Sequence, residues 1–217
     1  MNQLSLLNNY QINSMSGVPD TRMTYYPTVI VEENGRERVY DLASRLLKDR
    51  IVLLNGQVDD HSAGSIVQQL LFLEAEDNTK PITFIINSPG GVVTAGLAIY
   101  DTMNFIQPEV RTLVMGQACS MGAFLLSAGE PGHRTALPSS RIMIHQPLGG
   151  AQGQASDMEL HVKEILRMKQ TLTKVMSDST NGKTSYETMV ELTDRDNFLS
   201  PEEALELGLI DTIKTTK

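Results

Sequence analysis

From residue 51 onward, short apolar runs alternate with stretches in which apolar residues recur every three to four positions. Ile51-Val52-Leu53-Leu54, Ile82-Thr83-Phe84-Ile85-Ile86, Thr112 to Met115 and Arg141-Ile142-Met143-Ile144 are of the first kind. Their branched and aromatic residues predict buried strands. From Ser62 to Glu76, Ala63, Ile66, Val67, Leu70 and Leu71 fall on one helical face, and Val92 to Phe105 also reads as helix. Strands and helices in alternation predict an α/β fold with a mostly parallel sheet. Upstream, residues 24–31 are extended and interrupted by Pro27. Asn34-Gly35 predicts a hairpin turn between Val29-Ile30-Val31 and Val39-Tyr40. A short helix over Leu42 to Leu47 follows.

After Ile144 the pattern changes. Pro147 to Gln154 is too rich in glycine for a packed strand and reads as an edge or flexible segment that pairs with another chain. A long helix is predicted from Ser156 to about Ser177, opened by a Ser156/Glu159 capping box. Its apolar positions Met158, Val162, Ile165, Leu172 and Met176 run near heptad spacing, interrupted by Lys169. That length suits contact with a partner helix as well as core packing. The remainder reads as a helix from Tyr186 to Leu192 and a loop from Thr193 to Leu199. A helix capped by Ser200 with Pro201 in its first turn comes next, then a strand from Ile210 to Ile213.

Composition narrows the function classes. A chain of 217 residues with 41% hydrophobic residues can bury a substantial core. A net charge of −8 without a basic run argues against nucleic acid as the main partner. The single cysteine, Cys119, rules out an internal disulfide framework and fits a reducing compartment. Residues 1–23 contain no Lys and only Arg22, so they lack the basic start of a secretory signal. They read as a loose Asn/Gln/Ser-rich leader. Asn181-Gly182-Lys183-Thr184 ends like a phosphate-binding loop, but Ser177 stands where the first glycine belongs, so nucleotide binding there is rejected.

The candidate chemistry collects where strands end. Leu113 to Leu126 runs from an apolar strand through a hinge of small residues into an Ala/Leu-rich helix, with Ser120 in the hinge. Small residues at Ala118 and Gly122 permit a sharp turn that presents Ser120 at a helix N-terminus. Free N–H groups there favour a developing oxyanion. A nucleophile elbow and an ordinary capping serine both fit this stretch, because Ala118 replaces the first glycine of G-x-S-x-G. A serine nucleophile needs a base, and the base needs an orienting acid. Of the four histidines, His145 ends a buried strand on the same edge as Ser120. His61, His133 and His161 read as surface or structural residues. Asp194 and Asp196 are the candidate acids: one orients His145 while the other pairs with Arg195. The backbone N–H groups of Gly91 and Met121 are candidate oxyanion donors.

Four spaced motifs carry a family resemblance. Asn87-Ser88-Pro89-Gly90-Gly91, Gly116-Gln117-Ala118-Cys119-Ser120-Met121-Gly122-Ala123-Phe124-Leu125-Leu126, Met143-Ile144-His145-Gln146-Pro147-Leu148-Gly149-Gly150 and Arg195-Asp196-Asn197-Phe198-Leu199-Ser200 closely resemble the ClpP family, the proteolytic subunits of the Clp proteases. The likeness runs from about residue 26 to the end. It implies a ClpP/crotonase-type α/β fold of repeated ββα units with a protruding handle helix, the handle covering about 146–178. It implies a propeptide over residues 1–23 removed by self-processing and a single peptidase domain over 24–217. The implied activity is that of a serine endopeptidase acting through an acyl-enzyme, with Ser120 as nucleophile, His145 as base and Asp196 as acid. Gly91 and Met121 supply the oxyanion hole. Gly149, Gly150, Gln152, Gly153 and Gln154 bind substrate backbone as an added strand, and Asp194 and Arg195 link rings. The implied assembly is a homo-oligomer of two stacked heptameric rings, cytoplasmic and of bacterial type. An AAA+ unfoldase such as ClpX or ClpA delivers unfolded polypeptide to it. The chain takes no cofactor; ATP is used by the partner.

Departures from the family pattern are Cys119, where alanine is usual, and Thr83 and Ile85, where relatives carry tyrosines of the ATPase-docking cleft. Leu71, Phe72 and Phe105 supply apolar surface in their place. Two other readings differ in kind. A crotonase-like acyl-CoA enzyme shares the fold and the oxyanion hole but needs no Ser-His pair. A silent ring subunit only positions an active paralogue.

Overall fold

Asn34 and Gly35 both take positive φ, 53° and 73°, the pairing that lets a two-residue turn follow the twist of its strands. The computed structural model, which describes residues 27–215, there folds β1 (Thr28–Glu33) antiparallel onto β2 (Arg36–Asp41), with Thr28 opposite Asp41. The hairpin lies in the first of two compact units, which ends at Ala43; the second begins at Ser44. Helix α1 (Leu42–Lys48) follows β2 in the chain. The expected propeptide, residues 1–23, lies outside the described residues.

The second unit is built on a seven-stranded sheet. Strands β3 (Ile51–Asn55), β4 (Ile82–Ser88) and β5 (Val110–Cys119) lie side by side and parallel. Their burial alternates along each strand, and Val52, Leu54, Ile82, Phe84, Ile86 and Val114 are almost wholly enclosed. Helices α2 (Asp60–Glu76) and α3 (Val93–Phe105) pack together and bury Ile66, Leu70, Leu73 and Ile99. The first half of β5 pairs with β6 (Thr135–Ala136), which continues to β9 (Thr212–Ile213). Its second half pairs with β7 (Arg141–Ile144). β7 in turn pairs antiparallel with β8 (Asn197–Leu199). The predicted mostly parallel α/β architecture is the observed one. Among the described residues no helix is long and apolar enough to cross a membrane.

Helix α4 (Met121–Ser127) is buried at every residue, as its apolar composition on all sides requires. Helix α5 (Ala155–Ser179) is different. It buries Leu172, Thr173, Met176 and Ser177 near its C-terminal end, whereas Leu160, Val162 and Leu166 stay exposed. Helices α6 (Tyr186–Leu192) and α7 (Pro201–Glu206) complete the unit.

Several boundaries differ from the sequence pattern. Helix α2 starts earlier than Ser62, because Asp59 caps it: the Asp59 carboxylate accepts from Ser62 N, and Ser62 Oγ accepts from Asp59 N. The Ser156/Glu159 box does not form. Gln154 is the N-cap of α5 without a side-chain bond, and the Glu159 carboxylate pairs with Lys163 at 2.8 Å. Residues 197–199, expected as loop, form β8 instead, because three rungs of pairing with β7 hold them. The final strand is shorter than expected. Ile210 is buried in the turn before it.

Candidate active site

Gly116 bends β5. Its φ is 83°, and beside it the β4–β5 register shifts between Ile86 and Ser88, the signature of a bulge. Beyond the bend β5 leaves β6 and pairs with β7, Cys119 opposite Met143, and Ser120 N donates to Met143 O at 2.8 Å. The chain then reverses within one residue. Ser120 has φ 54° and ψ −120°, a conformation disfavoured for an L residue and held here by its surroundings. The loop after β4 is part of that hold. Gly90, at φ 91°, approaches so closely that a Cβ would stand 2.7 Å from both Cys119 O and Ser120 Cβ. Ser88 Oγ accepts from Gly90 N at 3.0 Å and fixes that loop.

This geometry bears on both readings of Ser120. It occupies the N-cap position of α4, but its side chain makes no capping bond. Its Oγ lies 2.8 Å from His145 Nε2. His145 follows β7 directly, and its side chain is 11% exposed. The β7–β8 register places Ile144 opposite Asn197, so the next rung sets His145 across from Asp196. Asp196 Oδ1 is 2.8 Å from His145 Nδ1. A hydroxyl, an imidazole and a carboxylate thus form one connected row.

Asp194 is placed elsewhere. Its carbonyl accepts from Gln146 Nε2 at 2.7 Å, and its carboxylate lies 3.8 Å from Arg195 Nε on a strongly exposed side chain. Lys169, the interruption in the α5 pattern, donates to Gln146 Oε1 at 2.8 Å. Met121 opens α4, so its N–H has no earlier carbonyl of that helix to bond. Gly90, where an added Cβ would stand 3.0 Å from Met121 N, leads into Gly91, and Val58 bridges to Gly91, with Val58 N donating to Gly90 O and Val92 N to Val58 O. Among the described residues the Gly91 N–H has no partner. Gly149, Gly150, Gln152, Gly153 and Gln154 lie in an exposed segment without strand pairing among the described residues. Leu71, Phe72 and Phe105 are exposed, Phe105 at 78%.

A cleft of about 470 Å³ opens on Ser120 and His145, walled by Val92, Thr94, Met143, Leu148 and Met168. These wall residues escape the sequence reading. Met168 alone carries a signal, since it shares a helical face with Ile165 and Leu172. Cys119, beside the serine, is buried, and its thiol is 3.6 Å from Gln117 Oε1. Burial pushes that thiol above its ordinary range, while Arg141 opposes and Asp196 reinforces the shift.

Residues 34–217 match the family model described as Clp protease. The chain belongs to the Clp protease family. Membership makes it a peptidase of the Clp type, and the mixed α/β architecture agrees with the fold expected from the resemblance. One feature of this Clp protease was invisible in sequence. Arg134, 1% exposed, donates from Nη2 to Asp211 Oδ1 at 2.6 Å and from Nε to Asp211 Oδ2 at 2.8 Å. Its Nη1 donates to the carbonyls of Ser127 and Ser179. The pair ties β9 to the rest of the unit and lies apart from the serine.

Proposed function

We propose that this Clp protease is a serine endopeptidase in which Ser120, His145 and Asp196 act as a triad. The observation that carries the reading is the unbroken row from Ser120 Oγ through both nitrogens of His145 to Asp196, with 2.8 Å at each junction. Asp196 accepts from Nδ1–H, which leaves Nε2 free to accept the serine proton. Ser120 Oγ then attacks the peptide carbonyl, and its proton passes to Nε2. The carbonyl oxygen becomes negative and is met by the N–H groups of Gly91 and Met121. Collapse expels the amine, which takes the proton from His145, and leaves an acyl group on Ser120. Water repeats the sequence and frees the acid. The strained backbone of Ser120 and the closely set loop at Gly90 support this reading, because the hydroxyl is held before substrate arrives.

The mostly apolar cleft beside Ser120 suits a hydrophobic substrate side chain. The unpaired segment with Gly149, Gly150, Gln152, Gly153 and Gln154 accepts substrate backbone as an added strand. The half-exposed α5 and the exposed Asp194 and Arg195 are surfaces for contact between two heptameric rings, and Leu71, Phe72 and Phe105 for an AAA+ unfoldase of the ClpX or ClpA type. On this reading the chain needs no cofactor, ATP is consumed by the partner, the protein works in the cytoplasm, and residues 1–23 are a propeptide. The test is a fluorophosphonate probe followed by intact mass. One adduct on the purified protein, located at Ser120 and absent from Ser120→Ala, is expected, together with loss of peptide cleavage. Cleavage that survives Ser120→Ala overturns the assignment.

A further inference from the structure

Asp196 is held from a weak place. It precedes β8, a strand of three residues whose strand neighbour, among the described residues, is β7. The two faces of β8 are unequal. Leu199 is buried on one side, whereas Phe198, two residues from Asp196 and on the same face as it, is 50% exposed. The cover on that face is a cation. The guanidinium carbon of Arg141 lies 4.2 Å from the centroid of the Phe198 ring. Arg141 starts β7, whose later rungs place Met143 opposite Phe198, so the stack runs diagonally across the ladder. Among the described residues Arg141 makes no ion pair, which leaves its charge for the ring.

We propose that Arg141 is a positioning residue: stacked on Phe198, it pins the short strand that presents Asp196 to His145. The proposal rests on the triad reading. It assigns Arg141 no contact with substrate. Losing the stack lets Phe198 turn outward and loosens the last rungs of β8, so Asp196 meets Nδ1 for a smaller fraction of the time. Substrate binding in the cleft is untouched, because Arg141 and Phe198 do not line it.

The experiment is steady-state peptide hydrolysis by the full-length assembled protein, with the fluorophosphonate labelling rate of Ser120 measured alongside. Arg141→Gln and Phe198→Leu are each expected to lower kcat about tenfold. That value lies between the roughly fivefold effect of one exposed cation–π stack and the about hundredfold effect of a group displaced by about 1 Å. KM stays within about twofold, and Arg141→Lys and Phe198→Tyr keep most of kcat. The decisive comparison is made in Asp196→Asn, where adding Arg141→Gln is expected to slow labelling by less than about twofold. An unchanged kcat in Arg141→Gln overturns the proposal. So does an equal loss from Arg141→Gln with and without Asp196, which is what a general loosening of the fold produces. If Phe198→Leu does not fold, Arg141→Gln and Phe198→Tyr decide the matter. Wild-type labelling at a residue other than Ser120 refutes the triad reading itself and is scored separately.

Discussion

Asp196 and Asp211 stand on either side of α7, and each receives a short hydrogen bond from a basic side chain, yet they are held in opposite ways. Asp211 accepts two bonds from the buried guanidinium of Arg134 and two more from the backbone N–H groups of Gly132 and Arg134. Among the described residues Asp196 has the single 2.8 Å contact with His145, and its side chain is 60% exposed. A carboxylate that accepts four hydrogen bonds in a mostly closed setting is fixed, and its charge supports the fold. A carboxylate with one protein partner and a wet face is positioned by that partner alone. The difference teaches where to expect chemistry: at the loosely held acid, not at the tightly bound one.

Exchanging the two acids one at a time should separate these roles. The largest effect is expected from Asp196→Asn, which keeps the shape but presents the wrong tautomer of His145. A loss of kcat of about 10⁴-fold with Tm within about 1 °C of the parent is the expected outcome, checked by peptide turnover and calorimetry. The converse change, Asp211→Asn, should cost about 3 kcal/mol, the low end for a broken buried pair because Asp211 is itself 18% exposed. Tm would drop by about 6–12 °C, with kcat per folded molecule unchanged. If Asp211→Asn abolishes turnover while Tm holds, the contrast is wrong.

Acid should distinguish the pair next. Burial works to raise the Asp211 carboxyl, but the hydrogen bonds and charge of Arg134 prevail and hold it below its ordinary value of 3.8. A depressed folded value means that this support is complete above the unfolded value and disappears as pH falls through the folded one. Tm of the parent is therefore expected to be level down to about pH 5 and to decline below it. Asp211→Asn should lack that part of the decline. Smaller still is the effect of Ser200→Ala. Ser200 and Glu203 form the capping box that opens α7, with Glu203 N donating to Ser200 Oγ at 3.2 Å. Losing the box should cost about 1 kcal/mol and leave both acids in place, seen as a modest drop in Tm at constant kcat. Ser156→Ala, at a cap that does not form, should change stability by less than about 0.5 kcal/mol.

Much of the chain could be read before folding because its local signals agree with its tertiary ones. The branched runs at Ile51, Ile82 and Arg141 are strands, the Asn34-Gly35 turn forms its hairpin, and Ser200-Pro201 opens a helix. The row of Ser120, His145 and Asp196 was readable in part, since two of its members follow predicted strands. The choice of Asp196 over Asp194 was open to residue chemistry alone; the family resemblance pointed to Asp196, and the β7–β8 ladder places it opposite His145. That ladder was missed because Asn197-Phe198-Leu199 is too short to carry a period. Arg134 was missed because a charged residue in a Gly/Pro loop looks like surface until its partner, far along the chain, is known. Ser156 misled because a cap motif states a possibility, and Glu159 found Lys163 instead.

The position of Cys119 has a practical consequence. The residue is 6% exposed and its thiol resists ionisation, one residue from a hydroxyl that faces an open cleft. Two neighbouring residues, the last of β5 and the one after it, therefore answer different questions. A maleimide added to the native protein counts the moments when the sheet comes apart, whereas, on the proposed triad, an organophosphorus reagent counts sites ready to react. Run side by side on each variant, they form an internal clock that tells a damaged scaffold from an idle one.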